Sequence, residues 1–236
     1  VEEAKSKPEK VSFAKFTSKR VPFIVMSEFW NPLVFSKKVI TNDLMMGPLF
    51  KFQSMILTGS NTGGKSTLLK AIASNVLFAQ SLGIVFARDA KFSPFQLILS
   101  SMNVTDEISQ GNSLFQAEIN RANALISFQK KLSKNQLGFM LSDELFTGTG
   151  SDHGEKAARK IAKSLFDNKR LITVFATHYP KVTNLEDKKK FIINYKIDAR
   201  RNSDGSFIRT FKLKRGISQV NIASDLLNRD IDDLDF

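Results

Sequence analysis

The apolar positions of this chain fall into short continuous runs that alternate with stretches of helical spacing. Residues 52–57, 137–141 and 171–176 are mainly apolar runs of strand length, the pattern of strands buried on both faces. Between them, Leu68, Leu69, Ile72, Val76 and Leu77 recur at helical spacing and predict a helix over 67–80, with Gly83 as its stop. Leu114, Ala117, Ile119, Ala122, Leu125 and Ile126 form the apolar side of a second helix, capped by Asn112 or Ser113 and reaching about residue 132. A third helix is expected over 154–166. Shorter strands are expected at 21–26, 38–41, 84–87 and 96–100, with turns at Asn31-Pro32 and Asn42-Asp43. Residues 191–197 and 207–213 alternate as a hairpin across Asn202-Ser203-Asp204-Gly205, and a short helix over 220–227 closes the pattern. Strands alternating with helices predict an α/β domain, its sheet largely parallel at the centre and flanked by helices, with additional antiparallel strands.

Length and composition narrow this picture. The 236 residues suit one large domain, read here as 23–236, preceded by a polar, lysine-rich stub at 1–22 that is frayed or the end of a preceding helix. A first residue that is not Met suggests a fragment of something longer. No run of eighteen apolar residues is present, so no membrane span or membrane partner is expected. The chain has no cysteine, which excludes disulfides and thiolate metal sites and is compatible with a reducing, intracellular home. The net charge of +12 favours an acidic partner, nucleic acid being the commonest. Lys188, Lys189, Lys190, Lys196, Arg200, Arg201, Arg209, Lys212, Lys214 and Arg215 crowd one late region. That crowding reads equally as a polyanion-binding patch or as a solvated lysine-rich face, since no aromatic-basic motif accompanies it.

The chemistry concentrates between Met55 and Thr67. Gly59, Gly64, Lys65 and Ser66 fit the phosphate-loop spacing G-x-x-x-x-G-K-[ST], between an expected strand and an expected helix. Glycines let backbone N–H groups turn inward around a polyphosphate, and the helix N-terminus adds partial positive charge. On this reading Gly59, Ser60, Asn61, Thr62, Gly63, Gly64, Lys65, Ser66 and Thr67 cradle ATP, Lys65 reaches its outer phosphates and Ser66 ligates Mg2+. Ligands gather at the carboxyl ends of parallel strands. The strand at 137–141 runs into Asp143-Glu144: Asp143 is the expected second magnesium group, and Glu144 the group that orients or deprotonates water. The strand at 171–176 leads to His178, placed to sense the γ-phosphate or the same water. His153 is read as a loop residue and Trp30 as a packing anchor. Ser113, after Gly111, opens a helix: spacing alone favours a plain capped helix, while a second anion-binding N-terminus would suggest a pocket shared between two chains.

Taken in series, these segments resemble the MutS family of DNA mismatch repair ATPases. Thr58-Gly59-Ser60-Asn61-Thr62-Gly63-Gly64-Lys65-Ser66-Thr67 is similar to the family's T-G-P-N-M-G-G-K-S-T, with Ser60 and Thr62 replacing Pro and Met. Gly111-x-Ser113-x-Phe115-x-x-Glu118 resembles its signature segment; Asp143-Glu144-Leu145 with Gly148-Thr149, and Ala176-Thr177-His178-Tyr179, resemble its Walker B and histidine segments. Asn31-Pro32-Leu33 and Asn42-Asp43 resemble its approach to the phosphate loop, and Phe211-Lys212-Leu213-x-x-Gly216 its closing strand. The resemblance implies a P-loop NTPase of the ABC-type ATPase class that hydrolyses ATP. It implies a homodimer or a heterodimer with a related ATPase, in which Ser113 reaches the partner's γ-phosphate. Val39 stands where family members often place an aromatic against adenine, and Phe211 is expected to supply the other face. DNA contact and mismatch reading belong to family domains N-terminal to this segment, and the setting implied is the cytoplasm or another DNA-containing compartment. Alternatives of other classes are an ATP-dependent dimerisation module with little turnover, a nucleic-acid-binding domain using the late basic cluster, and a MutS-related role in recombination or ribosome rescue.

Overall fold

The computed structural model describes residues 11–18, 20–34, 39–60, 63–102, 114–146, 151–201 and 207–218. The expected hairpin turn at 202–205, the closing helix at 220–227, and Asn61, Thr62, Gly111, Ser113, Gly148 and Thr149 lie outside the described residues.

Three apolar runs form adjacent strands of one sheet. The first four strands in the chain are β1 (Ser12–Phe13), β2 (Lys15–Phe16), β3 (Ile24–Phe29) and β4 (Asn42–Met46). They are followed by β5 (Ser54–Thr58), helix α1 (Lys65–Leu82), β6 (Ile84–Val85), β7 (Asp89–Phe92) and β8 (Leu97–Ser101). Helix α2 (Leu114–Lys130), β9 (Gly138–Asp143), α3 (Ser151–Phe166), β10 (Leu171–Ala176), the short α4 (Pro180–Thr183), β11 (Ile192–Arg201) and β12 (Phe207–Arg215) complete the order. The main sheet has six strands in the order β12-β11-β5-β10-β9-β8. From β11 to β8 every pairing is parallel, and only the edge strand β12 runs antiparallel. The fold is therefore mixed α/β with a largely parallel sheet, as the alternation of elements predicts.

Alternation within the central strands explains their continuous apolar runs. Met55 and Leu57, Phe139 and Leu141, and Ile172 and Val174 point to one face, where α1 lays down Leu68, Leu69, Ile72 and Val76. Ile56, Met140 and Phe175 point to the other, where α2 contributes Ala122 and Leu125 and α3 contributes Ala158, Ala162 and Leu165. Both faces being covered, polar residues have no wet side to occupy. Each fully buried aliphatic side chain contributes roughly 1.5–3 kcal/mol relative to exposure.

A second sheet, ordered β2-β7-β3-β4, extends the first of these cores with Ile24, Met26, Met46 and Phe92. Here the sequence reading needs correction. Residues 12–16 are not a frayed entry: β1 pairs with β6 and β2 with β7, and Ala14 N–H donates to Gly83 O at 2.8 Å. Two-residue strands are too short to show a period. The strand expected at 21–26 lies at Ile24–Phe29, and that expected at 84–87 pairs only over Ile84–Val85. The strand expected at 38–41 instead begins at Asn42, so Asn42-Asp43 opens a strand rather than making a turn. Their side chains accept from backbone elsewhere: Glu28 N–H donates to Asp43 Oδ1 at 2.7 Å and Leu213 N–H to Asn42 Oδ1 at 2.8 Å. Local turn formers are thus held extended by tertiary partners. Strand β7 was not expected; its exposed Asp89 and Lys91 alternate with buried Ala90 and Phe92. Helix α3 begins three residues before the expected Gly154, which places His153 on a helix, exposed, rather than in a loop.

Ile172 is fully buried at the middle of the parallel sheet. Ile172→Ala removes its packing against the α1 side and is expected to destabilise the fold by about 2–5 kcal/mol, read as a lower urea midpoint at unchanged slope.

Candidate functional site

The loop between β5 and α1 is shaped by backbone sterics before any side chain is considered. Gly64 caps α1 at φ 92°, a left-handed conformation costly for any residue with a Cβ. The ring of Phe211 closes over the same point: a Cβ on Gly64 would meet Phe211 Cδ1 at 2.8 Å. Upstream, Gly63 N–H donates to Ser60 O at 2.9 Å. Helix α1 then presents Lys65 and Ser66 on its first turn, facing the carboxyl end of the sheet.

Strand β9 ends opposite. Ser66 Oγ donates to Asp143 Oδ2 at 2.7 Å. Lys65, only 2% exposed, places Nζ 2.7 Å from Glu144 Oε1 and donates to Gly59 O at 2.7 Å. Two consecutive residues of the first turn of α1 therefore meet two consecutive carboxylates at the end of β9. Burial pushes the Asp143 carboxyl above the usual carboxylate range, reinforced by neighbouring Glu144 and opposed by the Ser66 hydrogen bond and by Lys65 and Lys70. Glu144 and Phe146 both have left-handed backbones, φ 44° and 66°, so the chain leaves β9 through a strained turn.

Strand β10 lies between β5 and β9, in register with Asp143 at Ala176. Glu144 N–H donates to Ala176 O at 3.1 Å and Thr177 N–H to Leu57 O at 3.0 Å, which ties the three strand ends together. His178 follows, exposed, its ring 4.2 Å from that of Tyr179. It stands at the same end of the sheet as the loop.

Beside the loop is a cavity of about 300 Å³ whose lining includes Trp30, Asn31, Val39, Gly64, Thr67 and Phe211. Val39 and Phe211 thus border one space. Phe211 has φ 54°, and its carbonyl accepts from Asn42 Nδ2 at 3.2 Å. Trp30 does pack, edge-on to Phe86 at 5.3 Å, yet it also faces this cavity. Asn31 Nδ2 donates to Thr67 O at 3.0 Å and so holds the start of α1. Asn42 and Asn31 are the structural residues that spacing alone did not select; the expected turn at Asn31-Pro32 is present, Val34 N–H donating to Asn31 O at 3.2 Å, whereas Asn42-Asp43 opens a strand. The phosphate-loop residues Asn61 and Thr62, and Ser113, fall outside the described residues.

Fold and site together define a mixed α/β domain in which a glycine-bounded loop carries a lysine and a serine onto two strand-end carboxylates. The sequence model of MutS domain V matches residues 55–224, and the chain belongs to the MutS family. It is 31% identical over 180 residues to the DNA mismatch repair protein MutS of Streptococcus equi subsp. equi (strain 4047), covering 76% of this chain and 20% of that protein. It is 32% identical over 161 residues to the DNA mismatch repair protein MutS of Streptococcus agalactiae serotype Ia, covering 68% of this chain and 18% of that protein. The chain thus spans about a fifth of the length of these curated relatives.

The raised pKa of Asp143 carries a sign that can be tested. A carboxyl whose folded pKa exceeds its unfolded value favours the fold when protonated, and that stabilisation is lost as pH rises through the folded pKa. Asp143→Asn keeps an acceptor for Ser66 without the buried charge. At pH 7 and without divalent cation it is expected to melt above the wild type, the gap closing as pH falls below the carboxylate range. Equal melting curves at both pH values would remove burial as the dominant influence on Asp143.

Proposed function

We propose that this chain is an ATP-binding and ATP-hydrolysing P-loop module of the ABC type. The observation that carries the reading is the double contact of Lys65 with Glu144 and Ser66 with Asp143, both at 2.7 Å, at the carboxyl end of a parallel sheet. The loop from Gly59 to Thr67 cradles the phosphates of ATP, and Lys65 exchanges its carboxylate partner for the phosphate charge. The cavity bounded by Val39 and Phe211 receives the nucleobase, with Phe211 offering its ring to one side.

The residues fit a magnesium ion: Ser66 Oγ and the Asp143 carboxylate are adjacent hard oxygen donors, and a dication offsets the half-buried charge of Asp143. Bound there, magnesium would neutralise charge developing on the transferred phosphoryl group. Glu144, with Lys65 drawn to phosphate, has a carboxylate to accept a proton from the attacking water. His178 at the neighbouring strand end orients that water or senses the γ-phosphate. Ser113 completes the site of a partner chain in a homodimer or a heterodimer with a related ATPase. In the longer protein the nucleotide cycle drives a DNA clamp, with DNA held mainly by other domains.

Two variants separate binding from turnover. Lys65→Ala is expected to weaken ATP binding or hydrolysis at least tenfold by removing a charge-assisted phosphate contact. Glu144→Gln should bind magnesium-ATP at near wild-type affinity and hydrolyse it about a hundredfold or more slowly. Wild-type turnover in both would sink the assignment.

The shared site has its own test. Ser113→Ala and Lys65→Ala chains, each inactive alone, are mixed under dimerising conditions. Recovery of activity in the mixed dimer, which holds one intact site, is the expected result. No recovery in demonstrated mixed dimers would place Ser113 in its own chain's chemistry.

A further inference from the structure

Glu144 leaves its strand through a turn that its own sequence does not favour. Neither Glu144 nor Phe146 is a glycine, yet both hold positive φ, which costs of order 1–3 kcal/mol each unless the surroundings impose it. The described contacts hold the turn at both ends. Tyr179, 6% exposed, donates its phenol hydroxyl to Phe146 O at 2.6 Å. Tyr179 is itself held from behind, since its N–H donates to Thr177 Oγ1 at 3.0 Å while Thr177 N–H donates to Leu57 O at 3.0 Å. Gly154 on α3 makes the meeting of hydroxyl and carbonyl sterically possible. A Cβ there would lie 2.7 Å from both Phe146 O and Tyr179 Oη.

We propose that Tyr179, with Gly154 making room for it, is a positioning residue that clamps the Glu144–Phe146 turn and so aims the Glu144 carboxylate. The inference rests on the ATPase reading above and adds to it the group that sets the geometry of the base. Two hydrogen bonds at opposite ends fix the turn: Glu144 N–H to Ala176 O, and Tyr179 Oη–H to Phe146 O. Both partners come from the end of β10 or the segment after it, so the turn is referenced to the strand that precedes His178. Burial and the charges of Glu118, Glu155 and Glu144 hold the phenol above its usual range, which keeps it a donor at neutral pH. The ring also abuts His178, so a displaced Tyr179 disturbs two expected site residues at once.

Tyr179→Phe deletes the hydroxyl and keeps the ring, and Gly154→Ala separates hydroxyl from carbonyl while leaving both in place. Each is measured for magnesium-ATP turnover and ATP affinity in the dimerising chain, with melting temperature as a control for folding. The expected result is a fall in kcat of about tenfold or more with KM within about twofold, the pattern of a misplaced catalytic group. The deciding readout is the double variant. If Tyr179 acts through Glu144, Tyr179→Phe has little further effect on the residual turnover of Glu144→Gln. An unchanged kcat in Tyr179→Phe, or the same fold loss in both backgrounds, overturns the clamp while leaving the ATPase reading intact. A wild-type chain that binds no ATP and hydrolyses none overturns the ATPase reading, and the clamp falls with it.

Discussion

A buried ammonium is the constraint around which the rest of this domain is arranged. Lys65 has 2% of its surface exposed, and an isolated charge in that position would cost several kcal/mol. It is tolerated because a carbonyl and a carboxylate stand within 2.7 Å of Nζ. Each comes from a different element: Gly59 from the loop after β5, Glu144 from the turn after β9. Meeting both demands obliges the loop to wrap back on α1 and the two strand ends to lie at one level. Removing either partner would leave the charge under-solvated, so loop conformation and strand registry support one another.

Much of this arrangement was legible in the sequence because its signals are local. A phosphate-loop spacing needs only eight consecutive residues, Gly59 to Ser66, and an apolar run ending in Asp143-Glu144 announces a buried strand with a polar end. The parallel sheet followed from the same runs. What was not legible depends on partners distant in the chain. Asn42 and Asp43 read as a turn, yet Leu213 and Glu28 hold them extended. Ser12–Phe16 shows no period because each strand is two residues long, its pairing supplied by β6 and β7. Tyr179 was legible only as the last residue of the histidine segment; its contact with the turn after β9 appears when the fold brings Phe146 O to its hydroxyl.

Charge shows the same limit from the other direction. The late basic residues are close in sequence but do not share one environment. Lys188, Lys189 and Lys190 stand just before β11, at the amino end of the sheet, away from the phosphate loop. Lys214 pairs with the buried Asp198 at 2.9 Å, and Lys212 donates to Thr41 O near the cavity. Among the described side chains, Lys212 and Lys214 therefore have partners within the hairpin and its neighbour. The three lysines before β11 therefore stand apart from the bases carried by the β11–β12 hairpin.

Strand order supplies the last step. The carboxylates do not come from the strand next to β5; β10 intervenes, and β9 lies one place further out. At about 4.8 Å between neighbouring strands, the ends of β5 and β9 are roughly 10 Å apart, twice the spacing of direct neighbours. With β10 interposed, Ser66 still reaches Asp143 from the first turn of α1, while β10 contributes its own end, Thr177 and His178, to the intervening space. On the proposed reading that space holds the γ-phosphate and its attacking water. The sheet then does more than carry the loop. On that reading its order sets the distance across which the chemistry takes place, and its middle strand leads into the segment that carries Tyr179.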